Sequence, residues 1–395
     1  MELPIFPVYR WVRRNLFRNP IDGLLTLAGL GLVLLLGVPL AQWIFAAAEW
    51  RVILANRHLL LVGPYPAEEL WRVWAIFLLL LALAGLTLGV FSRWGRRSWS
   101  VAGLALFMIL LAGGFDFYTG AKPWGPASAL AAGWGLWVGG YLLARGFPMI
   151  AKGLIPGWGL FAVATLVLLS GFEGSAWLPA VSTNRWGGFL LTALLTAVGI
   201  VASFPLGVVL ALGRRSRLPV IRWFCIGYIE MVRGVPLISV LFMGQLLIPL
   251  FLPPEWVVDN LIRVMIAVTG FSAAYMAENV RGGLQSVPHG QIEAAQALGL
   301  GVTLITFTIV LPQALRNVIP AIVGQCIALF KDTSLVTIIG LIDFLSAGQA
   351  SFAQAEFAGR EAEVYLFIAA VYWLFSFTFS RFSVRLERRL GVGER

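Results

Sequence analysis

Long apolar runs separated by short polar segments make up most of the chain. A helix needs about 20 apolar residues to cross the hydrocarbon of a bilayer, and ten runs come close to that length. They lie near residues 23–47, 73–91, 100–118, 128–146, 155–172, 187–212, 223–252, 259–280, 316–342 and 363–383. The pattern predicts an all-α polytopic membrane protein with about ten transmembrane helices.

The loops between these runs alternate in their content of basic residues. Every second loop is basic, with the clusters Arg13, Arg14 and Arg18; Arg93, Arg96 and Arg97; Arg145 and Lys152; Arg214, Arg215 and Arg217; and Arg385, Arg388 and Arg389. The other loops carry only scattered charges, such as Arg57, Glu68, Glu69, Lys122 and Arg185. Because basic loops stay on the cytoplasmic side, we expect both termini to be cytoplasmic.

Composition agrees with this pattern and excludes several kinds of function. The chain is 59% hydrophobic and 12% charged, and its mean hydropathy is +0.86, far from the values of soluble domains. Its two cysteines and two histidines are widely spaced, which predicts neither a disulfide framework nor a metal site. No P-loop, HExxH or GxSxG motif is present. A chain without these motifs could still be an enzyme, but its catalytic acids and histidines would have to come from a very sparse set. We therefore expect a chain that is not an enzyme, needs no cofactor and binds no nucleic acid.

The two halves of the sequence differ in character. Before Thr183 the apolar runs are rich in Leu, Ala, Gly and Trp with almost no internal charge, whereas polar residues enter the runs after it. We predict an N-terminal region at 1–183 and a functional domain at 184–390, each with about five spans. In the first region, Gly135 and Gly139 share a helix face, which permits close helix packing.

The gap between Arg281 and Arg316, which is predicted to be cytoplasmic, contains signals for two short helices. Ser286 is expected to cap the first helix with Pro288 in its first turn, and Gly299 to end it in the left-handed conformation. Thr303 is expected to cap the second helix, and Pro312 to stop it.

On the first of these helices, Ala294, Ala297 and Leu298 fall on one face, with Glu293 at its margin. Such a flat face suits close docking of another protein, but an ordinary amphipathic loop helix would show the same spacing.

The same stretch carries a family resemblance. It contains Glu293-Ala294-Ala295, then three residues, Gly299, nine residues and Ile309-Val310-Leu311-Pro312. This pattern resembles the EAA loop of permease subunits of bacterial ABC importers. Three stretches resemble the polar amino acid branch of that family. They are "VRGVPLISVLF" from Val232, "AAYMAENVRGGLQSVPHGQIEAAQALGL" from Ala273 and "LFKDTSLVTIIGL" from Leu329. With "WGGFLLT" from Trp186 and the tail from Ser380, the sequence is similar to the M-type subunit of general L-amino acid importers.

This resemblance implies a type I importer permease core in the bacterial inner membrane, surrounded by lipid, that forms part of a pathway for L-amino acids. It implies three kinds of protein partner: a cytoplasmic ATPase dimer, a second and related permease subunit, and a periplasmic amino acid-binding protein. It also implies that the EAA loop, residues 286–312, couples the permease to the ATPase. The residues expected to act in coupling are Glu293, Ala294, Ala295, Ala297, Leu298 and Gly299.

Ionisable residues inside the apolar runs are costly and are therefore candidates for function. Lys331 and Asp332 follow a mostly apolar run and precede Thr333 and Ser334, and Gln325 shares a helix face with Asp332. These five residues are candidates for a wall of the substrate pathway, since a lysine and an aspartate complement a zwitterion. The alternative is an ion pair that locks two helices together.

Four further charged residues lie near predicted cytoplasmic ends of spans, where pairing is the favoured interpretation over extension to water. They are Glu230, Arg233, Glu278 and Arg281. In the predicted outer segment Ser346–Val364, the acids Glu356, Glu361 and Glu363 could contact a binding protein or be solvated, and solvation is the favoured interpretation. Contacts with a binding protein are expected at the predicted outer loops 171–185 and 252–257.

Two other functions compete with the importer hypothesis. An ion-coupled secondary amino acid transporter would use the same Lys331 and Asp332 but would have no use for the EAA pattern. A membrane scaffold would need neither feature. Which amino acids are carried is not set by this chain, because the binding protein largely determines selectivity in such importers.

Overall fold

A computed structural model describes residues 11–91, 126–147, 149–253 and 255–391 of the chain. Over these ranges the regular structure is helical, and β-pairing is limited to two isolated bridges. The predicted span at 100–118 and the basic cluster Arg93, Arg96 and Arg97 lie outside the described residues.

We number the α-helices in chain order. They are α1 Pro20–Gln42, α2 Arg51–Ala55, α3 Arg57–Val62, α4 Leu70–Phe91, α5 Pro126–Gly146, α6 Ile150–Ser170, α7 Gly188–Gly213, α8 Pro219–Arg233, α9 Leu237–Leu250, α10 Asn260–Ser286, α11 His289–Ala297, α12 Val302–Ile305, α13 Leu311–Asp332, α14 Phe344–Phe352 and α15 Glu361–Leu390. Two π turns, Trp43–Ala47 and Thr306–Val310, follow α1 and α12, and a 3₁₀ segment, Thr333–Ile339, follows α13.

Seven helical segments among the described residues are long and apolar enough to cross a membrane, and a bent pair of helices makes an eighth candidate. The seven are Pro20–Ala47, Ala67–Phe91, Ile150–Ser170, Gly188–Gly213, Asn260–Ser286, Val302–Ile339 and Glu361–Arg388. Helix α5 occupies the position of one more predicted span and is 21 residues long, although it is less apolar. The predicted all-α polytopic architecture is confirmed.

The predicted span at 223–252 is not one straight helix. Helices α8 and α9 are separated by Gly234–Pro236 and are bent by 112° relative to each other. Pro236 has no N–H to continue the ladder, and it disfavours the helical conformation at Val235. Counting apolar residues across 223–252 missed this break, although glycine and proline both mark it in the sequence.

The EAA loop also begins and ends differently from the prediction. Ser286 is the last residue of α10 and caps nothing in α11, and Gly301, not Thr303, precedes the second short helix. Pro312 does not stop a helix; it lies in the first turn of α13, where an N–H is not required. The helical path therefore continues from α12 through the π turn into a span.

The chain divides into two compact units. One comprises Met1–Arg57 and Gly348–Val371, and the other comprises His58–Ala347 and Tyr372–Arg395. The unit boundaries fall inside α3, α14 and α15. The predicted division at 183 rests on motif content, and it stays a prediction.

In the larger unit, α10 is the central helix, because it packs against α7, α8, α9 and α13. Glycine permits two of these close contacts. A Cβ atom added at Gly207 of α7 would lie 2.6 Å from the Cβ of Met276, and one added at Gly283 would lie 2.5 Å from the carbonyl oxygen of Ala314. The helices thus approach through their backbones, as small residues allow in membranes.

A buried arginine in the larger unit joins the first turn of α4 to α6 and the segment after it. The Arg72 side chain is fully buried; its Nε lies 2.8 Å from Glu69 Oε2, and its Nη2 donates to the carbonyl oxygen of Pro179 at 2.9 Å. Tyr65 donates to the carbonyl oxygen of Leu169 at 3.2 Å. The sequence pattern gave no sign of this role, since Arg72 stands at the edge of an apolar run.

In the smaller unit, a set of polar contacts joins residues that are distant in the chain. Arg360 lies 2.8 Å from a carboxylate oxygen of Glu49 and 3.6 Å from one of Glu363, whose carboxylate also accepts from the Glu49 backbone N–H at 3.2 Å. Glu363 is only 2% exposed, so its predicted solvation is wrong. Glu356 is exposed but lies 3.2 Å from Arg51, and Glu361 is exposed as expected.

Close helix packing between α4 and α5 uses a different set of glycines from the predicted one. A Cβ atom added at Gly85 would lie 2.1 Å from the carbonyl oxygen of Trp137. A Cβ atom added at Gly140 would lie 2.7 Å from the carbonyl oxygen of Ala82. At Gly135 and Gly139 it would meet no atom of another described segment within 4 Å. The spacing identified a flat helix face, but it did not show which face α4 uses.

We expect Gly85→Ala to destabilise the protein by about 2 kcal/mol, because the added methyl group overpacks the α4–α5 contact. Gly139→Ala is the matched control, and we expect it to leave stability unchanged or slightly higher. Thermal unfolding of the purified protein in detergent measures both variants. Equal destabilisation by the two substitutions would contradict this account of the contact.

Candidate functional site

The EAA loop forms a short helix that is turned sharply at its end. Helix α11 is nine residues long, and Gly299 follows it with φ +76°, in the left-handed region that favours glycine. The backbone N–H of Leu300 then bonds to the carbonyl oxygen of Ala295 at 3.2 Å. The predicted left-handed turn at Gly299 is confirmed.

The side chains of α11 divide between the protein interior and the exposed surface. Ala295 is 3% exposed and packs in an apolar cluster that includes Ile305 and Val310. Ala294 and Ala297 are exposed, and Leu298 is 80% exposed. Glu293 and Gly299 are exposed as well. Ala295 therefore anchors the helix, and the other five predicted coupling residues form an exposed surface that we call the EAA surface.

A network of five charged side chains lies close to this loop. Glu278 of α10 bonds to Arg281 with Nε–O distances of 3.0 Å, and it lies 3.5 Å from Arg233 and 3.8 Å from Arg214. Arg214 also lies 2.9 Å from Glu230. The predicted pairing is confirmed for Arg233, Glu278 and Arg281, whereas Glu230 pairs with Arg214, which is outside the predicted set. The network joins α8 and α10 to the residue that follows α7.

Arg214 is the member of this network that the sequence did not predict. It belongs to the basic cluster Arg214, Arg215 and Arg217, which is informative about topology but says nothing about tertiary partners. Its position directly after Gly213, at the end of α7, brings it within reach of both acids. Only the structure, which brings Arg214 close to the ends of α8 and α10, identifies it as a member of the network.

Because Glu278 is the acid shared by three arginines, we expect Glu278→Gln to lower the free energy of unfolding by about 2 kcal/mol. Glu230→Gln is the matched control, since Glu230 is more exposed and pairs with one arginine among the described residues. We expect a loss below about 1 kcal/mol for that variant. Chemical unfolding of the two variants in the same detergent makes the comparison; a larger effect from Glu230→Gln would contradict it.

The predicted pathway residues lie together at the end of α13 and the start of the 3₁₀ segment that follows it. Lys331 is exposed, Gln325 and Asp332 are partly buried, and Thr333 is buried. The hydroxyl groups of Thr333 and Ser334 donate at 2.8 Å to carbonyl oxygens of their own chain segment.

Neither charged residue of this group is paired across helices in the described part of the chain. The side chains of Lys331 and Asp332 form no ion pair or hydrogen bond with another described helix. The alternative of an ion pair that locks two helices therefore finds no support there.

Asp343, a buried acid that follows the pathway residues in the chain, has a structural role. Its carboxylate accepts from the backbone N–H groups of Leu345 and Ser346 at 3.1 and 3.0 Å, at the start of α14. Burial raises the pKa of the Asp343 carboxyl, and the hydrogen bonds from Ser346 and Leu345 oppose that rise. Asp343 therefore acts as a helix cap.

The described residues contain no group of three or more histidine, cysteine, aspartate or glutamate side chains placed to hold a metal ion. The described residues thus form a multi-pass helical protein with an exposed surface on a short helix, the EAA surface.

Comparison with known proteins identifies the class more closely. Residues 203–392 match the family described as "Binding-protein-dependent transport system inner membrane component". The chain is 37% identical to the glutamate/glutamine/aspartate/asparagine transport system permease protein BztC of Rhodobacter capsulatus, over 96% of this chain and 93% of that protein. It is 35% identical to the inner membrane amino-acid ABC transporter permease protein YhdY of Escherichia coli, over 97% and 93% of the two chains.

Among solved structures, an amino acid ABC transporter with histidines is similar with a TM-score of 0.47 and 30% identity, covering 51% of this chain and 92% of that one.

The chain belongs to this family of inner-membrane components of binding-protein-dependent transport systems. It is a multi-pass transport subunit of the inner membrane and not an enzyme. Proteins of this family associate with an ATPase and with a substrate-binding protein. The resemblance carried by the EAA loop is confirmed, and it favours the importer over an ion-coupled secondary transporter.

Proposed function

We propose that this chain forms one half of the pathway of an ATP-driven importer for L-amino acids. Two relatives that match almost its whole length are permeases, one named for glutamate, glutamine, aspartate and asparagine and the other for amino acids. The observation that carries the proposal is the EAA surface, which is exposed, small-sided and held in place by the buried Ala295.

The EAA surface suits docking of the ATPase. Alanine side chains at 294 and 297 let another protein come close, and Leu298 leaves most of its apolar surface uncovered. Burying a leucine side chain contributes about 1.5–3 kcal/mol. Glu293 stands at the margin, where it meets a basic side chain of the ATPase.

The loop is packed so that motion at the docking surface reaches the pathway. Ala295 shares an apolar cluster with Val310 and Ala314, and Ala314 belongs to α13, the helix that carries Lys331. Close-packed interiors transmit displacement because they have few voids. Movement of α11 on ATP binding is thereby passed to α13 as rigid-body motion.

The other partners follow from the predicted topology with both termini in the cytoplasm. The EAA surface then faces the cytoplasmic ATPase dimer, and the segments 171–185 and 252–257 face the periplasmic binding protein. Both segments expose a tryptophan, Trp177 and Trp256, of the kind enriched at interfaces. A second and related permease subunit supplies the other half of the pathway.

We expect Ala297→Glu to reduce co-purification of the ATPase at least about tenfold, because it places a second carboxylate on the apolar part of the EAA surface. Ala350→Glu is the matched control, since Ala350 is also an exposed alanine near the end of a short helix, in the segment predicted to lie outside. Affinity purification of the assembled complex from membranes measures both. Normal recovery of the ATPase with Ala297→Glu, together with intact transport, would refute the docking role.

Lys331 and Asp332 are proposed to face the substrate. Their charges complement a carboxylate and an ammonium group, and they are unpaired within the described residues. Gln325, Thr333 and Ser334 complete the same wall in this proposal. A hydrogen bond to a charged group contributes about 1.5–3 kcal/mol.

Substitution of these charges should therefore lower uptake about 10- to 100-fold. We expect this for Lys331→Met and for Asp332→Asn in proteoliposomes that contain the complete transporter, with subunit assembly unchanged. Lys152→Met, at an exposed lysine in the first turn of α6, is the control and should keep full uptake. Unchanged uptake and selectivity in all three variants would remove these residues from the pathway, while ATP-independent uptake driven by an ion gradient would contradict the importer itself.

A further inference from the structure

A groove of about 560 Å³ in the larger unit lies beside the helix that follows the EAA loop. One wall consists of five apolar residues of α13 between Pro312 and Val323, and Phe204 of α7 and Leu386 of α15 complete it. Among the described residues that line this groove, Arg316 alone carries a charge. The groove is therefore an apolar channel with a single cation near one end.

The length of the groove matches one leaflet of a bilayer. Pro312 and Val323 are eleven residues apart, which corresponds to about 16 Å along an α-helix. The hydrocarbon of a bilayer is about 30 Å thick, so one leaflet accounts for about half of it. An extended lipid acyl chain thus fits along α13 from the level of Pro312 to the middle of the membrane.

The charge at the groove also suits a lipid. Arg316 is exposed and has no carboxylate partner among the described residues, and it lies one turn from Pro312, near the start of α13. The guanidinium group matches the oxygens of a phosphate in a bidentate manner.

The tail of the chain adds positive charge close by. An added Cβ atom at Gly391 would lie 3.3 Å from Arg316 Nη2, and Arg385 and Arg388 in the last two turns of α15 are exposed. Glu387, the acid in this region, accepts a hydrogen bond from the Ser383 hydroxyl at 2.7 Å. Basic groups at the end of a span attract anionic headgroups.

We propose that this groove binds an anionic phospholipid, with its phosphate on Arg316 and one acyl chain along α13 toward Val323. The lipid would fill the space between α7, α13 and α15. It would thus stabilise the position of the helix that connects the EAA loop to Lys331. The proposal rests on the groove and does not depend on which substrate is carried.

Native mass spectrometry of the complete transporter tests this proposal, with the complex incubated with phosphatidylglycerol or with phosphatidylcholine. We expect preferential retention of phosphatidylglycerol, and a fall in its retention of about fivefold in Arg316→Gln, the factor that corresponds to about 1 kcal/mol for one basic residue. Arg222→Gln is the matched control, since Arg222 is an exposed arginine of α8 without a carboxylate partner in the described chain. It should retain the lipid fully.

A second variant separates the acyl site from the charge. Ile322→Trp fills the groove and keeps Arg316, so retention of phosphatidylglycerol should fall while the complex still assembles. Four results would overturn the proposal: equal retention of both lipids by the unmodified complex, equal losses in Arg316→Gln and Arg222→Gln, full retention in Ile322→Trp, or displacement of the lipid by inorganic phosphate. The last result would show that the acyl chain contributes nothing.

Discussion

The close approach of α10 to α7 and α13 is the contact on which the rest of the larger unit depends. Helices in a membrane gain little from hydrophobic association, because lipid is as apolar as their side chains. They are held instead by dispersion between closely packed atoms. Glycines at 207 and 283 bring the backbones together, and at Gly283 there is no room for even one methyl group. The positions of the other features of this unit depend on helices that are held this close together.

The end of α10 shows how one helix serves two kinds of contact. Ala277, Val280 and Leu284 pack in the apolar cluster that holds Ala295, whereas Glu278 and Arg281 join the charge network. The two sets occupy different faces of the same helical turns. Charges near a membrane are costly unless paired, and here their pairing fixes the ends of neighbouring helices. The EAA loop thereby packs, through Ala295, against a helix end that is held by paired charges.

How much could be predicted from the sequence depends on how local each feature is. Apolar length predicts most spans, and glycine chemistry predicts the turn at Gly299, because both depend on neighbouring residues. The break at Gly234–Pro236 is also local, but a count of apolar residues passes over it. The contact at Gly85, the charge pairing of Arg214 and the burial of Glu363 depend on partners far along the chain. No pattern within one segment reports them.

The contact between Glu49 and Glu363 makes the start of the last span depend on the N-terminal part of the chain. Glu363 begins the last span, and it is satisfied in part by a backbone N–H that follows the first span, 314 residues away. A chain without its N-terminal part would leave this carboxylate short of a donor, at a cost of about 1–3 kcal/mol. The N-terminal part of the chain therefore contributes to the stability of the last span. Removal of the N-terminal helices would therefore also weaken the attachment of the first turn of the last span.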